Sequence, residues 1–112
     1  SGFSPLYGNK PNNVYALPAT IGTRNKTLDA IREFARENQI KVVFFCAPFW
    51  RETKNLDYIG KLKGKIPDLM DYSSAIQDPA LFANNSHLNE KGAQAFTELF
   101  VGDMLQTAKP TK

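Results

Sequence analysis

Leu28, Ile31, Phe34 and Ala35 recur at helical spacing, while Arg32, Glu33 and Arg36 fall on the opposite side. This pattern predicts an amphipathic helix over residues 26–38 whose apolar stripe faces a sheet. Asn25 stands where a side-chain oxygen can cap the first turn. Asn38 or Gln39 is the expected stop, because Asn tolerates the left-handed conformation common there. The pattern then changes. Ile40-Lys-Val-Val-Phe-Phe-Cys-Ala47 is almost continuously apolar, β-branched and aromatic, and Pro48 closes it. Continuous apolarity predicts a strand covered on both faces, as in a parallel sheet. A helix followed directly by such a strand is half of a β-α-β unit.

Downstream the periodicity is weaker. Leu56, Ile59 and Leu62 predict a second helix from Thr53 to about Lys63, and Leu69-Met-Asp-Tyr-Ser73 a short second strand introduced by Ile66-Pro67. Asp78-Pro79-Ala80-Leu81-Phe82 predicts one tight turn, with Asp78 capping and Pro79 in the first turn position. A last helix is expected from Asn89, burying Ala93, Phe96, Leu99, Phe100 and Met104, with Leu88 stapled against Ala93. Before all of this, Gly2, Pro5, Gly8, Pro11, Pro18 and Gly22 alternate with Asn9, Asn12 and Asn13, which predicts an irregular leader lying over the domain. The expected organisation is a leader at 1–24, one domain at 25–106 and a tail at 107–112. No internal repeat is present.

The fold class is therefore α/β, a three-layer sandwich with a short parallel sheet. Two parallel strands alone are marginal. An exposed sheet edge and apolar face are expected, covered by the leader or by another copy of the chain.

Composition narrows the function classes. At 112 residues, with 42% hydrophobic and 22% charged positions, the chain has the make-up of one ordinary globular domain. Its longest apolar run, Val42 to Trp50, falls well short of the roughly 20 residues that span a bilayer. The opening Ser1-Gly2-Phe3 lacks a methionine, which points to a processed or trimmed product. Net charge is +3, and the densest basic cluster, Lys61, Lys63 and Lys65, reads as a solvated face rather than a nucleic-acid surface. Cys46 has no partner for an internal disulfide and lies in an apolar run, so it reads as a buried, inert thiol. One cysteine and one histidine exclude a Cys/His zinc site within the chain.

That single histidine, His87, follows a polar stretch, Ala83-Asn-Asn-Ser86, and immediately precedes a helix. No other side chain here cycles a proton near neutral pH without a large pKa shift. As simpler readings, His87 could be a hydrogen-bonding residue before a helix, Asn89 a helix cap, and Gly92 a site of close approach between helix start and sheet. Phe44, Phe45, Phe96 and Phe100 are core by default. Phe49 and Trp50, just past the strand's C-terminal end, stand where open α/β sheets bind ligands, so either could line an acyl or sugar pocket.

The element order, together with Ser86-His-Leu-Asn-Glu-Lys-Gly-Ala93, resembles the C-terminal half of an SGNH (GDSL-type) hydrolase over residues 25–106. The resemblance implies a partial flavodoxin-like SGNH fold, a serine esterase acting on a carbohydrate or other acyl ester, no metal or organic cofactor, and an extracytoplasmic home. It also implies that His87 activates a serine while the residue three positions earlier orients the imidazole. In the family that residue is Asp, and here it is Asn84. An amide supplies no negative charge against imidazolium, and acid-to-amide replacement in a serine protease triad lowers turnover by about 10⁴. Two substitutes are open: a backbone carbonyl supporting His87 beside Asn84, or Asp78 reaching in from the preceding turn. None of Ser1, Ser4, Ser73, Ser74 or Ser86 follows Gly-Asp, as the family's nucleophile does. Gly22-Thr-Arg-Asn25 is read mainly as helix capping. The expectation is thus a hydrolase fragment inactive alone, with a non-catalytic α/β binding module as the alternative.

Overall fold

The computed structural model describes Gly8 and residues 16–108, so expectations for the rest of the leader and for the tail beyond 108 lie outside the described residues. Within them the protein is mixed α/β, with three helices and two small two-stranded sheets.

Helix α1 spans Lys26–Glu37, and the Asn25 side chain accepts the Leu28 N–H at 2.9 Å, as a capping oxygen should. At the other end Gln39, not Asn38, takes the left-handed conformation (φ 56°), and Ile40 N–H returns to the Ala35 carbonyl. Only part of the predicted stripe is used. Leu28 and Ala35 pack inward, whereas Ile31 and Phe34 are exposed. Arg32 does more than face water. It pairs with Asp68 through two hydrogen bonds and lies 4.7 Å from the centre of the Phe44 ring.

Strand β1, Phe45–Cys46, pairs in parallel with β2, Met70–Asp71, which places the two predicted strands side by side. The ladder is far shorter than Ile40–Ala47. Its cause is the single neighbour: β2 bonds to the Phe44 and Cys46 carbonyls, and no described strand pairs with the opposite edge of β1. Ile40, Val43 and Phe45 are accordingly exposed, which corrects the expectation of a strand covered on both faces and of Phe45 as a core residue.

Helix α2 occupies Asp57–Lys65 and starts four residues later than Thr53. Thr53 is held in a turn by its N–H to Trp50, and Asn55 is left-handed (φ 62°), so the helical path cannot begin before that point. Ile59 joins Leu17, Cys46, Ile66 and Leu69 in one core cluster, with Leu28, Phe44, Phe49 and Leu62 against it. Burial, then the nearby Asp71, pushes the Cys46 thiol up to about 11, which keeps it protonated and unreactive at neutral pH.

Helix α3 runs Glu90–Ala108, so helical structure continues past Thr107, where a tail was expected. Phe96 and Phe100 meet the rings of Phe45 and Tyr72, placing α3 on the Phe45 side of the parallel pair. A second cluster of Trp50, Ile76 and the fully buried Phe82 fills the space below its first turns, with Leu88 and Ala95. The expected single turn at Pro79–Leu81 is present, Asp78 accepting the Ala80 N–H. Gly92 is indeed a site of close approach, but to that turn rather than to the sheet. A Cβ there would stand 2.1 Å from the Leu81 carbonyl oxygen.

Candidate functional site

Two short strands not foreseen from the sequence build the site. β3, Phe82–Asn84, turns back through Asn85 and Ser86 into β4, His87–Leu88, and the pairing opposes Asn84 to His87. Residues directly opposed across antiparallel strands bring their Cβ atoms within about 4.5–5.5 Å. Three-residue spacing thus puts the two side chains together. His87 Nδ1 lies 3.0 Å from Asn84 Oδ1.

The amide orientation is fixed by its other contact. Ser86 N–H donates to the same Asn84 Oδ1 at 3.0 Å, the Asx-turn bond that favours Asn at such corners. A backbone N–H can only donate, so the atom facing it, and facing the imidazole, is the carbonyl oxygen. Ser86 Oγ is the third member, 3.0 Å from His87 Nδ1 and 3.3 Å from Asn84 Oδ1. Nδ1 therefore faces two side-chain oxygens, and His87 is exposed. Asp78 takes no part, because its carboxylate caps the turn at Pro79. At Nδ1 stand Asn84 Oδ1 and Ser86 Oγ, not Asp78 or a backbone carbonyl.

Loops after both parallel strands converge on this hairpin. Phe49 N–H donates to the Ser73 carbonyl, and Trp50 N–H to the Asn85 carbonyl at 2.9 Å, with Thr53 Oγ1 reaching the same oxygen at 3.4 Å. The imidazole is thus tied to the C-terminal ends of β1 and β2, the edge where open α/β sheets commonly bind ligands. Of the two aromatic candidates, Trp50 is only 5% exposed, set edge-on against Phe82, with its Nε1 on Glu52. Its ring is core, and its main chain holds the hairpin turn. Phe49 is half-buried against the α2-side cluster.

Asn89 anchors the site from below. Its Oδ1 accepts the Gly92 N–H as a helix cap, as its position implied, while its Nδ2 donates to the Gly8 and Ala80 carbonyls. Sequence reasoning missed Ser86 and the hairpin itself. The available signal was Asn84-x-Ser86, an Asx-turn pattern, flanked by the apolar Phe82 and Leu88.

Among the described residues no group of His, Cys, Asp and Glu could hold a metal ion, and no helix is long and apolar enough to cross a membrane. An open groove of about 740 Å³ lined by Thr23, Arg24, Leu28, Tyr58, Leu62 and Lys65 includes none of Phe49, Trp50, Asn84, Ser86, His87 and Asn89. Comparison with known proteins gives no match: no family model fits the chain, and no curated protein or solved structure is detectably similar.

Proposed function

We propose that this chain carries the base-bearing part of an SGNH (GDSL-type) serine ester hydrolase, acting on a carbohydrate or other acyl ester. The observation that supports this reading most directly is the 3.0 Å contact between Asn84 Oδ1 and His87 Nδ1. It leaves the rest of an exposed imidazole free beside the strand ends. A serine hydroxyl becomes a competent nucleophile when a base takes its proton and that base is held through its second nitrogen. His87 is assigned as base and then acid, and Asn84 as the orienting residue. The activated hydroxyl comes from outside residues 1–112, which contain no Gly-Asp-Ser, so this chain alone has little or no turnover. Parallel β1 and β2, with α3 on one side and the α2 cluster on the other, support the three-layer, partly flavodoxin-like reading. Phe49 remains assigned to the substrate pocket, with Trp50 behind it through its main chain. An extracytoplasmic home and the absence of a cofactor belong to the same proposal.

Asn84 favours a second reading, a non-catalytic module on the same scaffold, because a neutral amide gives an imidazolium no charge partner. The coding sequence preceding Ser1 separates the two. A Gly-Asp-Ser block after an apolar strand is expected for the hydrolase. A protein extended to include that block should hydrolyse short acyl esters and lose roughly 10²–10⁴-fold of its rate on His87→Ala. Unchanged rates in that variant would remove His87 from the chemistry.

A further inference from the structure

Three atoms lie within 3.3 Å of one another, His87 Nδ1, Asn84 Oδ1 and Ser86 Oγ, and they share the Ser86 hydroxyl proton and, in one of the two imidazole tautomers, a proton on Nδ1. If the imidazole carried its proton on Nε2, the Nδ1 lone pair would point at the lone pairs of Asn84 Oδ1 across 3.0 Å. The Ser86 N–H fixes that oxygen in place, so the amide cannot turn its NH₂ group inward without losing a backbone hydrogen bond. In the Nε2–H form the Ser86 hydroxyl could donate to Nδ1, but the repulsion from Asn84 Oδ1 would remain; with the proton on Nδ1 every contact is favourable. Nδ1–H donates to Asn84 Oδ1 and Ser86 Oγ together, and the Ser86 hydroxyl donates onward to Asn84 Oδ1.

We infer that Asn84, its amide oxygen locked by the Ser86 N–H, fixes His87 as the Nδ1–H tautomer and performs the orienting task of a carboxylate without its charge, while the Ser86 hydroxyl, donor or acceptor, turns to follow the proton. The lone pair then sits on Nε2, the nitrogen left free to act as base. Which ring nitrogen holds the proton is set by the hydrogen bond the other group offers. The tautomer stands without the hydrolase reading, and only its catalytic meaning rests on that reading.

The test is ¹⁵N-detected long-range NMR of the neutral imidazole in the full chain, with wild type, Asn84→Ala, Asn84→Asp and Ser86→Ala. Wild type is expected to show predominantly Nδ1–H. Asn84→Ala, which removes the one facing oxygen that cannot donate, is expected to shift the ratio toward Nε2–H by roughly 2- to 10-fold, the weight of one neutral hydrogen bond. Asn84→Asp, which keeps an acceptor at that place, should hold Nδ1–H. Ser86→Ala keeps the backbone N–H that locks the amide and should leave Nδ1–H predominant; if Asn84→Ala fails to fold, the wild-type and Ser86→Ala ratios decide. A wild-type ratio favouring Nε2–H overturns the proposal, as does an Asn84→Ala ratio equal to wild type or a Ser86→Ala ratio favouring Nε2–H. Esterase assays of the extended protein bear on the hydrolase reading alone, so either idea can fail while the other stands.

Discussion

At the scale of single residues, close packing beside the hairpin leaves some positions no room for another side chain. Gly92 is the clearest case. An added methyl group would collide with backbone, the Leu81 carbonyl at 2.1 Å, rather than with a flexible side chain. We expect Gly92→Ala to destabilise the fold by about 1–3 kcal/mol through forced displacement of the turn, measurable as a lower urea midpoint. Unchanged stability would mean that the turn at Pro79–Leu81 yields freely. Asn84 and Asn89 each use both a side-chain group and their place in the chain, one at a turn and one at a helix start. The sequence disclosed Asn89's cap because capping is local. It did not disclose that Ser86 shares His87 Nδ1, because that contact exists only once the chain has turned back on itself.

At the scale of elements, legibility follows how each segment obtains its partners. The ends of α1 were readable, since its cap and stop are local, but its stripe only in part, because Ile31 and Phe34 find no partner to cover them. The parallel partnership of β1 and β2 was readable from their apolar character, but their length was not, because a strand extends only as far as a neighbour accompanies it. The β3–β4 hairpin escaped because its turn is Asn-Ser rather than the Asn-Gly that announces such corners. Tyr72 links two of these elements: it follows β2 and its hydroxyl donates to Asp103 of α3 at 2.6 Å. Burial, then that hydrogen bond and the negative charge, pushes the phenol from 10.0 up to about 12. Folding therefore favours the protonated phenol. The stability this contributes is complete below pH 10 and is lost as pH rises through about 12. We expect urea midpoints of wild type to fall more steeply between pH 9.5 and about 11.5 than those of Tyr72→Phe. Parallel slopes would show that the link between β2 and α3 carries no linkage to this ionisation.

At the scale of the molecule, apolar surface is distributed unevenly. Ile31 and Phe34 on α1, Val43 before β1 and Phe45 within it, and Leu99, Val101 and Leu105 on α3 are all exposed. β1 has no described partner on its outer side. Exposed strands bordered by large apolar residues invite pairing with other chains. We expect the weight-average mass in sedimentation velocity to rise with concentration, and Phe34→Asp to suppress that rise; a concentration-independent monomer would contradict it. The leader has the opposite effect and ties distant parts of the chain together. Leu17 is buried, its N–H bonds to the Lys54 carbonyl, and Asn89 reaches across 81 positions to Gly8. During synthesis, then, the imidazole-bearing bend emerges long after the stretch it must meet. A shortened polypeptide beginning at Thr20 would retain Asn84, Ser86 and His87 yet leave half of Asn89's grip empty, so the presence of all three is no guide to whether a trimmed version has a properly shaped bend.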